Sequence, residues 1–194
     1  MESKHFTIGT RGFNVVVSEF KNFLMVHVRK YYEGKPTRFG IALTTKEWRM
    51  LMSKSKQIDD LLEQMQKVLD QQTNNPNTEP EELESETLRI GFRGYFTLVS
   101  DFAKTLYVHV RKYDSDEKAS SKGIALTSSE WKSLMTVSDE IDVQITQLLE
   151  EIRQKNEKQL QESKDNLEQP AKKMKGCNEA AKPVNKRIFK AKIQ

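Results

Sequence analysis

Residues 6–31, FTIGTRGFNVVVSEFKNFLMVHVRKY, lie over residues 88–113, LRIGFRGYFTLVSDFAKTLYVHVRKY, without a gap. Ile8, Gly9, Arg11, Gly12, Val17, Ser18, Phe20, Leu24 and Val26 all recur in the second copy. After one extra residue there, GIALT at 40–44 returns at 123–127. Glu47, Trp48, Leu51, Met52, Ser55, Ile58 and Asp59 then return as Glu130, Trp131, Leu134, Met135, Ser138, Ile141 and Asp142. The chain is a duplication, so whatever one copy folds into, the other folds into as well.

Each copy reads as strands followed by a helix. Phe13–Phe20 and Phe23–Tyr32 are rich in β-branched and aromatic residues. The second run alternates Leu24, Val26 and Val28 with Met25, His27, Arg29 and Tyr31. RGF at 11–13 and RGY at 93–95 place a glycine where a turn or bulge belongs. KNF and AKT read as tight hairpin connections, and EGKPTR and SDEKASS as polar loops before a fourth strand ending in IAL. Thr44-Thr45-Lys46-Glu47 and Thr127-Ser128-Ser129-Glu130 fit the capping box, in which a hydroxyl and a carboxylate satisfy each other's orphan backbone donors. Apolar residues follow at 48, 51, 52, 58, 62, 65 and 69, and at 131, 134, 135, 141, 145, 148, 149 and 152, the spacing of one helical stripe. Trp48 and Trp131 head those stripes and read as core anchors rather than base-stacking platforms.

A unit of about sixty residues with one helix over one face of a four-stranded sheet is marginal alone. The fold expected is therefore α+β: two tandem β-β-β-β-α repeats, each a curved four-stranded antiparallel sheet plus a C-terminal helix, packed as an intramolecular pseudo-dimer. The expected divisions are a first repeat at 1–70, an acidic polar linker at 71–87 and a second repeat at 88–153. A helix extension at 154–169 and a disordered basic tail at 170–194 follow. A flexible linker of that length reaches about 20–25 Å, enough for the repeats to meet.

Charge is unevenly spread along the 194 residues, whose formal net charge is +4. Thr73 to Thr87 holds five glutamates and no basic residue. The tail from Pro170 carries Lys172, Lys173, Lys175, Lys182, Lys186, Arg187, Lys190 and Lys192 against Glu179 alone. Such a tail attracts polyanions at long range; a solvated tail that only aids solubility is the alternative. No apolar run approaches bilayer-crossing length, and the start lacks the apolar core of a signal peptide. The one cysteine, Cys177, has no partner for an intramolecular disulfide, and His5, His27 and His109 lie too far apart for a zinc motif. An intracellular protein with no metal or other cofactor is expected.

With leucine and valines turned toward the helix, the other face of the second long strand carries His27, Arg29 and Tyr31. In the second copy it carries Tyr107, His109, Arg111 and Tyr113. Basic residues interleaved with aromatics on an uncovered sheet suit single-stranded nucleic acid, because cations offset phosphates and rings stack on unpaired bases. Cross-strand pairing alone also accounts for exposed arginine and tyrosine, so a protein-interaction surface stays open as a reading.

FTIG, VVVSEFK, LMVHVRKYY, FGIALTTKEWRML and QIDDLLEQ together resemble the C-terminal domain of the positive cofactor 4 family of transcriptional coactivators. The second copy matches in the same order with VSDF, LYVHVRKY, KGIALTSSEW and EIDVQI. The resemblance implies a non-enzymatic protein that binds single-stranded or melted DNA across paired sheets, with little sequence preference, in transcription or genome maintenance. It implies nuclear localisation, which the pairs KK at 172–173 and KR at 186–187 would serve; a cytoplasmic protein is the alternative.

Carried over by position, the resemblance implies binding roles for Phe20, Lys21, Arg29, Tyr32 and Arg38 in the first copy. In the second it implies them for Phe102, Arg111 and Lys122, with Lys104 following Ala103 where the family has its basic residue. His27, Tyr31, His109 and Tyr113 join them from the alternation pattern. Asp114 stands where an aromatic belongs, so the first copy is expected to dominate affinity. The partners implied are single-stranded DNA, with RNA as a variant, and the transcription machinery. The competing reading is a protein-interaction scaffold that keeps the fold with weakened DNA binding. No nucleophile–base constellation suggests an enzyme.

Overall fold

The computed structural model describes residues 4–20, 23–74, 87–91, 94–113 and 119–167. The linker from 75 to 86, the tail from 168 onward, Lys21 and Asp114 lie outside the described residues.

In the first repeat, β1 (His5–Ile8), β2 (Phe13–Phe20), β3 (Phe23–Tyr32) and β4 (Lys35–Thr44) lead into α1 (Thr45–Met52) and α2 (Ser55–Asn74). The second repeat has β5 (Leu88–Ile90), β6 (Tyr95–Phe102), β7 (Thr105–Tyr113) and β8 (Ala119–Thr127), then α3 (Ser128–Leu167). β2 and β3 occupy the spans that β-branched and aromatic residues mark in the sequence.

Both capping boxes form. Thr44 Oγ1 accepts from the Glu47 backbone N–H at 3.2 Å, while Glu47 Oε2 accepts from the Thr44 N–H at 2.8 Å. Thr127 and Glu130 make the same exchange at 3.3 and 2.9 Å. The helices differ further on. In the first repeat the helix breaks at Ser53–Lys54, where the Ser53 hydroxyl donates to Met50 O at 2.8 Å. The second repeat has Thr136 and Val137 at those positions, Thr136 Oγ1 donates to Lys132 O at 3.1 Å, and α3 runs through, so a hydroxyl bonded to a nearby carbonyl does not by itself explain the break.

The strands form one antiparallel sheet in the order β1-β2-β3-β4-β8-β7-β6-β5. The two repeats meet edge to edge at β4 and β8, registered at Gly40 and Gly123. Joining there removes two exposed edges that would otherwise invite other strands.

The repeats also interlock through their helices. α1 lies against β3, β4 and β5, and α2 packs on β6 and β7, so helices of the first repeat cover strands of the second. A single core results, and it includes Ile8, Val15, Val26, Leu43, Trp48 and Leu51 with Ile90, Val108, Leu126, Trp131, Leu134 and Ile141. Trp48 and Trp131 are both 0% exposed, as anchors should be. The described residues through Arg153 form one compact unit, and Gln154–Leu167 belong to a second.

The turn into β2 explains its glycine. Gly12 has φ +81°, and Tyr31 N donates to its carbonyl at 2.7 Å; Gly94, at φ +74°, holds Tyr113 in the same way. A side chain at either position would meet the tyrosine carbonyl oxygen at 2.9 Å.

Candidate nucleic-acid interface

Paired residues in an antiparallel ladder point to the same face. On β3, Leu24, Val26 and Val28 are buried in the core, and His27, Arg29 and Tyr31 stand half-buried on the opposite side. Register extends that face across the molecule: Thr7, Asn14, Arg29 and Gly40 fall in one row. The row continues through Gly123, Arg111, Phe96 and Arg89.

The centre of the row is built by both repeats. Two glycines leave a strip with no side chain, flanked by two arginines whose Cα atoms are roughly 15 Å apart at ordinary strand spacing. Each arginine stem leans over its glycine. A Cβ on Gly40 would lie 2.8 Å from Arg29 Cβ and Cγ, and one on Gly123 would lie 3.0 Å from Arg111 Cγ. Glycine inside a strand here marks close approach.

Irregular pairing beyond the arginines fixes their heads. The β3–β4 register shifts between Arg29 and Tyr31, and the β7–β8 register between Arg111 and Tyr113. The carbonyls freed there accept from the guanidinium groups: Arg29 Nη1 donates to Thr37 O at 2.6 Å and Arg111 Nη1 to Ser120 O at 3.3 Å.

A cleft of about 320 Å³ opens on this face of the first repeat, lined by strand residues only, among them Val16, Ser18, His27, Arg29, Tyr31 and Thr37. Ring pairs stand on the same face in both repeats: His5 meets Tyr31 edge-on at 5.5 Å, and Phe96 meets Tyr113 edge-on at 5.3 Å. Burial, and then the neighbouring arginine, push both His27 and His109 below the ordinary histidine range, which favours neutral rings. His109 Nε2 shares a 2.8 Å hydrogen bond with Ser100 Oγ.

The remaining candidates sit toward the margins. Phe20 is 60% and Phe102 74% exposed at the ends of β2 and β6, and Tyr32 is exposed at the end of β3. Lys104 is exposed in the β6–β7 turn, where Ala103 and Lys104 both have positive φ. Arg38 is exposed, with its guanidinium over the Phe39 ring at 5.1 Å, and Lys122 is exposed one residue before the seam glycine. The face thus brings together His27, Arg29, Tyr31, His109, Arg111 and Tyr113, with the other described candidates around it.

Sequence reasoning missed the seam and one ion pair. Arg11, in the β1–β2 turn, binds the Glu130 carboxylate of the other repeat through Nε at 2.7 Å and through Nη2, and Nη2 also donates to Ala125 O at 3.0 Å. The signal was available, since arginine and glutamate recur at matching positions in both copies. Among the described residues, no group of three or more His, Cys, Asp or Glu is placed to hold a metal, and no helix is long and apolar enough to cross a membrane.

Fold and face define a single-chain, two-repeat sheet protein with an uncovered basic and aromatic surface. The family model of transcriptional coactivator p15 (PC4) matches residues 10–54 and 95–137, one match in each repeat. The two matches are consistent with two tandem copies of that family's domain, to which each repeat is similar. The family is one of non-enzymatic, single-stranded-DNA-binding transcriptional coactivators. No curated protein matches the chain.

Proposed function

We propose that this chain binds single-stranded or melted DNA, with little sequence preference, across the uncovered face of its sheet, as a nuclear coactivator or genome-maintenance factor. The observation that carries the reading is the row Arg29, Gly40, Gly123, Arg111: two cations, one on either side of the glycine pair at the seam. In this reading Arg29, Arg38, Arg111, Lys104 and Lys122 offset phosphates, joined by Lys21. Phe20, Phe102, Tyr31, Tyr32 and Tyr113 offer rings to unpaired bases, and His27 and His109 form the floor between. Duplex is a poorer ligand because its bases are already stacked. One chain supplies both halves of the groove, so no second copy is required.

The test is fluorescence anisotropy with labelled single-stranded DNA, matched duplex and RNA across a salt series. The variants are Arg29→Ala with Arg111→Ala, and a chain ending at Gln169. Single strands should bind more tightly than duplex. The double arginine variant should lower the slope of log K against log salt by about 1.4, at about 0.7 for each single-strand phosphate left without its cation. Truncation should weaken binding and keep the strand preference. Binding that ignores strandedness and vanishes with the tail would reject the groove in favour of a scaffold. Equal affinity for RNA would place the target among single strands generally.

A further inference from the structure

The two repeats differ by one hydrogen bond on the uncovered face. In the second, Ser100 Oγ and His109 Nε2 share their 2.8 Å bond, so that pair is closed on itself. The matching side chains of the first, Ser18 and His27, form no hydrogen bond with each other or with any other described residue. Both line the cleft of about 320 Å³ on the first repeat, together with Val16, Arg29, Tyr31 and Pro36. The strand partner of His27 is Val16, whereas that of His109 is the bulkier Leu98.

The walls of the cleft specify a ligand. Val16, Pro36 and the Tyr31 ring give it apolar sides, which suit the body of a planar ring. The Ser18 hydroxyl donates or accepts, and a neutral imidazole has one nitrogen that donates and one that accepts. Burial and the Arg29 charge favour the neutral form of His27. Arg29 adds a fixed positive charge, its Nη1 held by Thr37 O at 2.6 Å. A ring edge with a carbonyl oxygen beside an N–H matches this set: the oxygen accepts next to the cation, and the N–H donates to Ser18 or His27. Guanine, thymine and uracil carry that edge. Adenine and cytosine carry an amino group in the carbonyl's place, which would turn its hydrogens toward Arg29.

We propose that the cleft of the first repeat seats one keto base of a bound single strand, its carbonyl and ring N–H read by Ser18 and His27. The inference rests on the strand-face binding proposed above and adds one read position to it. The rest of the strand is held without regard to sequence, and the base in the cleft is chosen. The second repeat reads no base, because Ser100 already occupies His109.

The probe is a fluorescein-labelled strand of about sixteen deoxycytidines, long enough for one binding site, titrated by anisotropy against the full chain at neutral pH. Further strands carry a single deoxyuridine, thymidine, deoxyguanosine or deoxyadenosine at the centre. Uracil and cytosine share one ring and differ only at the edge in question. A single keto base should tighten binding about tenfold, the scale of one good base contact, and adenine should not. A gain with uracil and thymine makes the occupant a pyrimidine, and a gain with guanine alone makes it a purine; either supports the proposal. Each ratio is taken within one protein, so a change in overall affinity cancels. Ser18→Ala and His27→Ala should each lower the ratio and together bring it to about one, while His109→Ala should keep it. A wild-type chain that binds deoxycytidine strands and gains nothing from a keto base overturns the inference and leaves strand-face binding standing. An unchanged ratio in Ser18→Ala also overturns it, whether or not the double variant folds. No binding to any strand rejects both.

Discussion

Trp48 Nε1 donates a 2.8 Å hydrogen bond to Asp142 Oδ1 in the other repeat, and Trp131 Nε1 donates one of the same length to Asp59. Each indole is fully buried, and each acceptor sits on the helix of the opposite copy. The paired bonds tie α1 to α3 through Trp48 and Asp142, and the start of α3 to the first turns of α2 through Trp131 and Asp59.

Replacing Asp142 or Asp59 with alanine leaves a buried N–H without an acceptor, at about 1–3 kcal/mol. Asparagine keeps an oxygen in place and should lose less. Urea unfolding monitored by tryptophan fluorescence measures both. Equal stability of the alanine and wild-type chains would mean that water replaces the carboxylate.

Gly12→Ala and Gly94→Ala should each destabilise the fold. Alanine in the left-handed region carries about 1–2 kcal/mol of strain, and its Cβ would press on a tyrosine carbonyl that the strand pairing holds in place. Thermal melts of the two variants should both shift downward, by similar amounts.

Thr97→Val should stabilise the chain. Thr97 is 0% exposed, its hydroxyl has no partner among the described residues, and the first repeat has Val15 at that position. Removing an unsatisfied buried hydroxyl should recover about 1–3 kcal/mol, read as a higher urea midpoint at unchanged slope.

Acid should weaken the fold in two stages. His27 and His109 titrate below the ordinary value of 6.5 in the folded chain, mainly through burial. The unfolded chain therefore binds more protons, and stability falls as pH drops through 6.5 until the folded values are passed. Burial pushes the Glu130 carboxyl up, but hydrogen bonds from Arg11 and Thr127 and the Arg11 charge outweigh it and leave it below its ordinary 4.5. Its contribution is whole above 4.5 and is lost as pH falls through the folded value. Urea midpoints against pH should show both declines, and His27→Gln with His109→Gln should remove the upper one only.

Local features were legible in the sequence. Period-two alternation separated Leu24, Val26 and Val28 from His27, Arg29 and Tyr31, and hydroxyl–carboxylate spacing fixed both helix starts. The pairing of β4 with β8 was not legible, because periodicity reports which way a side chain points and not which edge meets which. Glycines 40 and 123, inside strand patterns, were its only trace. Gln144 escaped because a polar residue between apolar Ile141 and Ile145 reads as surface, and only the packed helix shows it buried. The cross-repeat bonds of Trp48 and Trp131 join residues far apart in the chain, which no local pattern encodes, while the Arg11–Glu130 pair left a trace only in the recurrence of both residues between copies.

In a dimer of identical chains every substitution is written on both sides of the two-fold axis. Here the halves that meet at Gly40 and Gly123 are separate stretches of one gene product, and they have already drifted. Asn14 is answered by Phe96 and Met25 by Tyr107 on the same face. A ligand laid across the seam meets two unlike ends, so this surface has a direction that a symmetric pair cannot possess.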